Sequence, residues 1–118
     1  MDQVNTTRVE KKGDVACIDI QGDLTASSEP FLNDAYAKAC DCGTNRILFT
    51  FDPDAYINNG GIAILIQIIA EGKKRDQQIG ITGISDHFKK IFALVGITKF
   101  ATIYPTAQDG LNDLAGPD

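Results

Sequence analysis

The chain has 118 residues, 43% hydrophobic and 23% charged, the balance of a single soluble globular domain spanning 1–118. Eleven Lys and Arg against sixteen Asp and Glu leave a net charge of −5. Apart from Lys73-Lys74-Arg75 the cations are scattered, which argues against nucleic acid and against an anionic membrane as partners. One histidine, His87, excludes multi-histidine metal sites, and Cys17, Cys40 and Cys42 form an odd set without the CxxC spacing of a zinc site, so free thiols and no metal are expected.

Val9 to Lys12 and Val15 to Gln21 read as two strands joined by a turn at Lys12-Gly13-Asp14, the second strand ending at Gly22. Thr25, Ser27 or Ser28 can cap the helix that follows. Pro30 suits its first turn, and Phe31, Leu32, Ala35, Tyr36 and Ala39 recur at helical spacing before Cys42-Gly43. Ile47 to Phe51 is a short continuous apolar run closed by Asp52-Pro53, as expected of a central strand buried on both faces. Ile62 to Ala70 fits both periods, but a capping Asn58 or Asn59 and the cationic end at Lys73, Lys74 and Arg75 predict a second helix.

In this second helix Ile62, Leu65, Ile66 and Ile69 suffice to cover a sheet. Ile64 and Ile68 form another stripe, expected to pack under a third helix that carries Phe88, Ile91 and Phe92. Gln78 to Gly83 is a strand, Ser85 or Asp86 caps that third helix, and Gly96 ends it. Ala101 to Tyr104 is a last strand, and Thr106 opens a short final helix with Ala107, Leu111 and Leu114. Alternating strands and helices predict an α/β domain with a mostly parallel, mixed sheet of about five strands and about four helices.

The start Met1-Asp2-Gln3-Val4-Asn5 has no basic region followed by an apolar one. The longest apolar stretch falls far short of a membrane span, so a cytoplasmic protein without membrane insertion is expected. Most catalytic templates fail. Asn58-Asn59-Gly60-Gly61 opens a helix where an anion can bind, yet Gly61 is followed by Ile62-Ala63 and not by the Lys and Ser or Thr of a P-loop. His87 has no nucleophile tied to it by any motif, and Asp52 and Asp54 read as a solvated turn rather than a cation site. No enzymatic activity and no cofactor are expected.

Four stretches, Ile18 to Thr25, Gly61 to Leu65, Thr82 to Asp86 and Phe92 to Ile97, together resemble the STAS domain of bacterial anti-sigma factor antagonists. Ile18-Asp19-Ile20-Gln21-Gly22-Asp23-Leu24-Thr25 is similar to that family's strand, glycine and acidic loop before helix one. Gly61-Ile62-Ala63-Ile64-Leu65 stands where the family shows Gly-Leu-x-x-Leu, and Thr82-Gly83-Ile84-Ser85-Asp86 and the Phe92 to Ile97 helix ending complete the pattern. The resemblance implies a STAS-like fold and a partner-switching module that binds an anti-sigma factor, often also a serine kinase, and thereby regulates sigma-dependent transcription. It places the partner surface at Asp23, Thr25, Asn58, Asn59, Gly60, Gly61 and Ser85.

The family's switch is a serine in a stretch reading Asp-Ser-Ser-Gly. With Gly61 and Ile62 as anchors this chain reads Asn58-Asn59-Gly60-Gly61, so Gly60 occupies the phosphoacceptor position and has no hydroxyl. A register slid by one residue puts Gly61 where the helix needs its first large apolar residue. A phosphoryl group, which elsewhere adds about −2 charge at such an interface, cannot be placed on Gly60, and Ser85 is the fallback acceptor beside its simpler role as a cap. Replacing Gly60 by Asp is accordingly expected to mimic phosphorylation without unfolding the domain. Two other functions fit the same resemblance or the same residues: a scaffold or accessory subunit of a signalling or lipid-transport complex, and a small-molecule or nucleotide-binding domain built on Asn58 to Gly61. A monomer or weak dimer is expected.

Overall fold

The computed structural model describes residues 5–115. Strand β1 (Thr6–Lys12) and strand β2 (Val15–Gln21) form the antiparallel hairpin, and Gly13 takes φ 61° at the first of two turn positions, where type II′ hairpins place glycine. Three βα units follow: α1 (Glu29–Cys40), β3 (Arg46–Phe51), α2 (Asn59–Lys74), β4 (Gln78–Thr82), α3 (Asp86–Leu94) and β5 (Ala101–Ile103). A final helix, α4 (Ala107–Leu114), closes the described chain.

The five strands lie in the order β1-β2-β3-β4-β5, with every pair after the hairpin parallel. Each parallel connection steps to the adjacent strand. With the usual right-handed crossover, α1, α2 and α3 therefore stack on one face. Parallel register aligns Ile18, Phe49, Ile81 and Ile103 on that face, and beside them run Ala16, Ile47, Ile79 and Ala101. These rows form the main core with the buried sides of the helices. A smaller cluster of Val15, Leu48, Tyr104 and Leu114 lies on the opposite face beneath α4. That helix sits close because both surfaces carry glycine: a Cβ on Gly80 would lie 2.6 Å from the Tyr104 ring, and one on Gly110 would lie 2.9 Å from Leu48.

One detail differs from the sequence expectations. Ile64 and Ile68 are buried, but the cover comes from α1 and the short 3-10 turn Ala26–Ser28, both of which lie against α2. Helical geometry puts Ile64 on the side of Gly60, whose Cα faces Ala26, whereas Ile66 points the other way and stays 40% exposed. Cys17 is half-buried on the α4 face, its thiol pKa raised chiefly by burial. Two tyrosines lock elements together. The Tyr36 hydroxyl donates to Gln77 Oε1 at 2.6 Å and that of Tyr104 to Asp113 Oδ2 at 2.5 Å, and burial pushes both up to about 12. Among the described residues no helix is long and apolar enough to cross a membrane.

Candidate functional site

The carboxyl ends of β2, β3 and β4 all open on one end of the sheet, and the loops that leave them are tied to each other. After β2 the chain turns at Gly22, and Leu24 makes an isolated parallel bridge with Ile57 in the β3–α2 loop. Leu24 N donates to Tyr56 O at 2.9 Å and Asn58 N donates to Leu24 O at 3.0 Å, so the two loops are zipped at the backbone. Asp23 Oδ1 adds a third tie by accepting from Tyr56 N at 2.9 Å. The side-chain amide of Asn5 donates to the carbonyls of Gln21 and Asp23 and holds the turn between them.

Helix starts carry the next layer. Thr25 caps the 3-10 turn: its Oγ1 accepts from Ser27 N, and its own N–H donates to Ser28 Oγ. Asn58, not Asn59, caps α2, its Oδ1 accepting from Gly61 N at 3.0 Å. Asn59 is exposed on the first turn. Asp52 Oδ1 accepts from Asp54 N, so that pair serves a turn, as its sequence suggests. Ser85 caps α3, accepting from Phe88 N at 3.4 Å.

The structure thus brings Asp23, Thr25, Asn58, Asn59 and Gly60 together at one end of the sheet, with Gly61 buried beneath them against Leu24. Ser85 stands apart on the neighbouring loop. It is connected through Phe88, whose ring meets the edge of Tyr56 at 6.0 Å between centroids. Tyr56 is the residue the sequence reading missed. It is 62% exposed at the centre of these loops, and its only sequence signal is an aromatic inside the polar stretch Asp52 to Asn59. Asp23 accepts from its backbone N–H, Asp52 and Asp54 precede it in the same loop, and Asp86, paired to Lys89 at 3.3 Å, opens α3 at the same end of the sheet. The surface is acidic with an aromatic centre.

Gly60 and Gly61 have no space for side chains. A Cβ on Gly61 would lie 2.6 Å from the Leu24 carbonyl oxygen, and one on Gly60 would lie 2.8 Å from Ala26 N and 3.0 Å from Ala26 Cβ. The expectation that Gly60→Asp leaves the domain intact is therefore corrected, since the first side-chain atom meets backbone that cannot swing aside. Gly60→Asp should destabilise the fold by about 1–3 kcal/mol, the usual range for overpacking. A thermal melt that stays within a degree of the wild type would contradict this close approach. Asn59 is the better position for a charge, because its side chain is free in solvent.

Comparison with known proteins comes to the same fold. Residues 6–110 match the STAS domain family. The crystal structure of an anti-sigma factor antagonist from Mycobacterium paratuberculosis is similar over 93% of each chain, with 19% identity and a TM-score of 0.76. The anti-sigma factor antagonist SpoIIAA in its unphosphorylated form is similar over 96% of this chain and 99% of its own, with 12% identity and a TM-score of 0.73. The phosphorylated form of the Bacillus cell fate determinant SpoIIAA gives a TM-score of 0.66 at 12% identity, over 92% of this chain and 99% of that one. With five strands in sequential order, a leading antiparallel hairpin, three helices on one face and a match over most of its length, the chain belongs to the STAS domain family.

Proposed function

We propose that the chain is a protein-binding module of a partner-switching pathway, docking onto an anti-sigma factor of the serine-kinase type through the surface around Tyr56, Asp23 and Asn59. The observation that carries this reading is the backbone zip between Leu24 and Ile57, which fixes the exposed Tyr56 ring and the Asp23 carboxylate on a rigid base. Preorganisation of this kind lowers the ordering cost of association, and an aromatic at the centre of a polar rim is the usual anatomy of a protein contact. The acidic character of the surface calls for a partner face rich in Arg and Lys. The module acts in the cytoplasm, binds without catalysis and needs no cofactor.

It is not switched at the family position. Gly60 lacks the hydroxyl and its Cα is pressed against Ala26, so binding persists in the presence of kinase and ATP. The nucleotide reading finds little support, because the Gly61 amide is already taken by Asn58 and both glycines are packed against Leu24 and Ala26. The scaffold reading differs in outcome, since a scaffold binds its complex without releasing a sigma factor.

The test is calorimetric titration of the purified protein with a cognate anti-sigma kinase, before and after incubation with ATP, with phosphate mapped by mass spectrometry. The expected result is an unchanged affinity and no phosphate on residues 58–61. Phosphate on Ser85 accompanied by release of the partner would overturn the unregulated version, and absence of any complex would overturn the docking reading itself.

A further inference from the structure

Four of the five exposed large hydrophobic side chains among the described residues lie away from the surface above, at the middle of α2, the end of α3 and the turn that follows it. Ile66, Val95 and Phe100 are 40–44% exposed and Leu94 is 85% exposed. Ile66, Val95 and Phe100 line a small apolar cavity of about 70 Å³ together with Ile69, Ala70 and Ile97. The cavity has room for the end of one side chain from another molecule. The groove runs between a helix and a helical turn, the setting in which amphipathic helices dock.

Its rim is cationic. Lys73 Nζ lies 4.5 Å above the centre of the Phe100 ring, and Lys99 joins Lys73 along the adjoining cleft, where Asp76 is the carboxylate at the edge. Neither lysine has a salt-bridge partner among the described residues. The segments that form the groove and its rim, 66–76 and 95–100, carry four Lys and Arg against two Asp and Glu, a net +2 on a chain whose total is −5. Charge here is reversed relative to the rest of the molecule.

We propose that this groove docks an acidic amphipathic helix of a partner protein, with one apolar side chain seated between Ile66, Val95 and Phe100 and carboxylates placed on Lys73 and Lys99. A second copy of this chain is a poor occupant for a two-fold contact, which would set Lys73 and Lys99 against their own equivalents. An anionic membrane is disfavoured by the net charge of −5 and by a concave rather than a projecting apolar face. The proposal does not rest on the function proposed above, because the two surfaces share no residue and have opposite charge.

The experiment titrates isotope-labelled protein with a helical peptide about 18 residues long that carries Leu on one face and Glu on the other, followed by amide chemical shifts. The same peptide with Lys in place of Glu is the control. Expected are shifts confined to residues 66–73 and 95–100, and affinity falling at least about tenfold in Lys73→Glu/Lys99→Glu and again in Phe100→Ala. Tyr56→Ala should bind the peptide like the wild type, and the unchanged spectrum elsewhere reports that each variant is folded. Equal binding of the Lys peptide, or no shift at millimolar Glu peptide, would overturn the proposal. So would binding to phosphatidylserine vesicles in place of the peptide, or a wild-type dimer that Val95→Asp converts to a folded monomer.

Discussion

Alanine at Gly83 is expected to destabilise the domain by about 2–4 kcal/mol, adding the cost of a left-handed backbone to that of overpacking. Gly83 follows β4 with φ 88°, and a Cβ there would stand 2.1 Å from the Phe51 carbonyl oxygen and 3.0 Å from Phe51 N. Both obstacles are backbone of the central strand, so relief requires β3 and β4 to part at the end that supports the docking loops. For a chain of this size the melting temperature should fall by about 10–15 °C. Gly13→Ala supplies the comparison. It shares the positive φ, at 61°, but nothing lies within 4 Å of its Cβ, so only backbone strain of about 1 kcal/mol applies. Equal melting temperatures for the two variants would show that the close approach to Phe51 costs nothing.

The contrast between these glycines also marks what a sequence can convey. Gly83 and Gly13 look alike in the chain, each following a strand, and only the neighbouring backbone separates them. Gly60 is a further case. The missing hydroxyl is legible, whereas Ala26 at 2.8 Å from its absent Cβ comes from a different loop and leaves no local trace. The elements themselves were legible because each has a period: Ile47 to Phe51 is continuous and buried on both faces, and Ser85 and Thr106 cap the helices that follow them. The two stripes of α2 were equally visible. Which helix covers which stripe depends on strand order, and that order sets α1 beside Ile64 and Ile68 and leaves Ile66 to the outer groove. Tyr56 had no period to reveal it, since one aromatic in a polar loop gives the same signal whether it folds inward or stands in solvent.

Tyr56→Ala is expected to weaken the complex with an anti-sigma factor by about 10–100-fold, the loss typical of a central aromatic anchor. The size of the effect follows from position. Tyr56 is 62% exposed, its backbone is fixed by hydrogen bonds to Asp23 and Leu24, and its ring is braced edge-on against Phe88. A ring held in this way loses little freedom on binding, so nearly all of the surface it buries counts toward affinity. Stability should change far less, by no more than about 1.5 kcal/mol for the lost ring contact. Tyr56→Phe keeps the ring and its contact with Phe88 and should retain most of the affinity. Asp23→Ala separates anchoring from orientation, because it removes the carboxylate that holds Tyr56 N while leaving the ring in place. It should weaken the complex less than Tyr56→Ala and make that complex less sensitive to salt, since one of the acidic groups facing a basic partner is gone. Calorimetry at two ionic strengths reads both effects. An affinity that stays within twofold of the wild type in Tyr56→Ala would place the docking surface elsewhere on the domain.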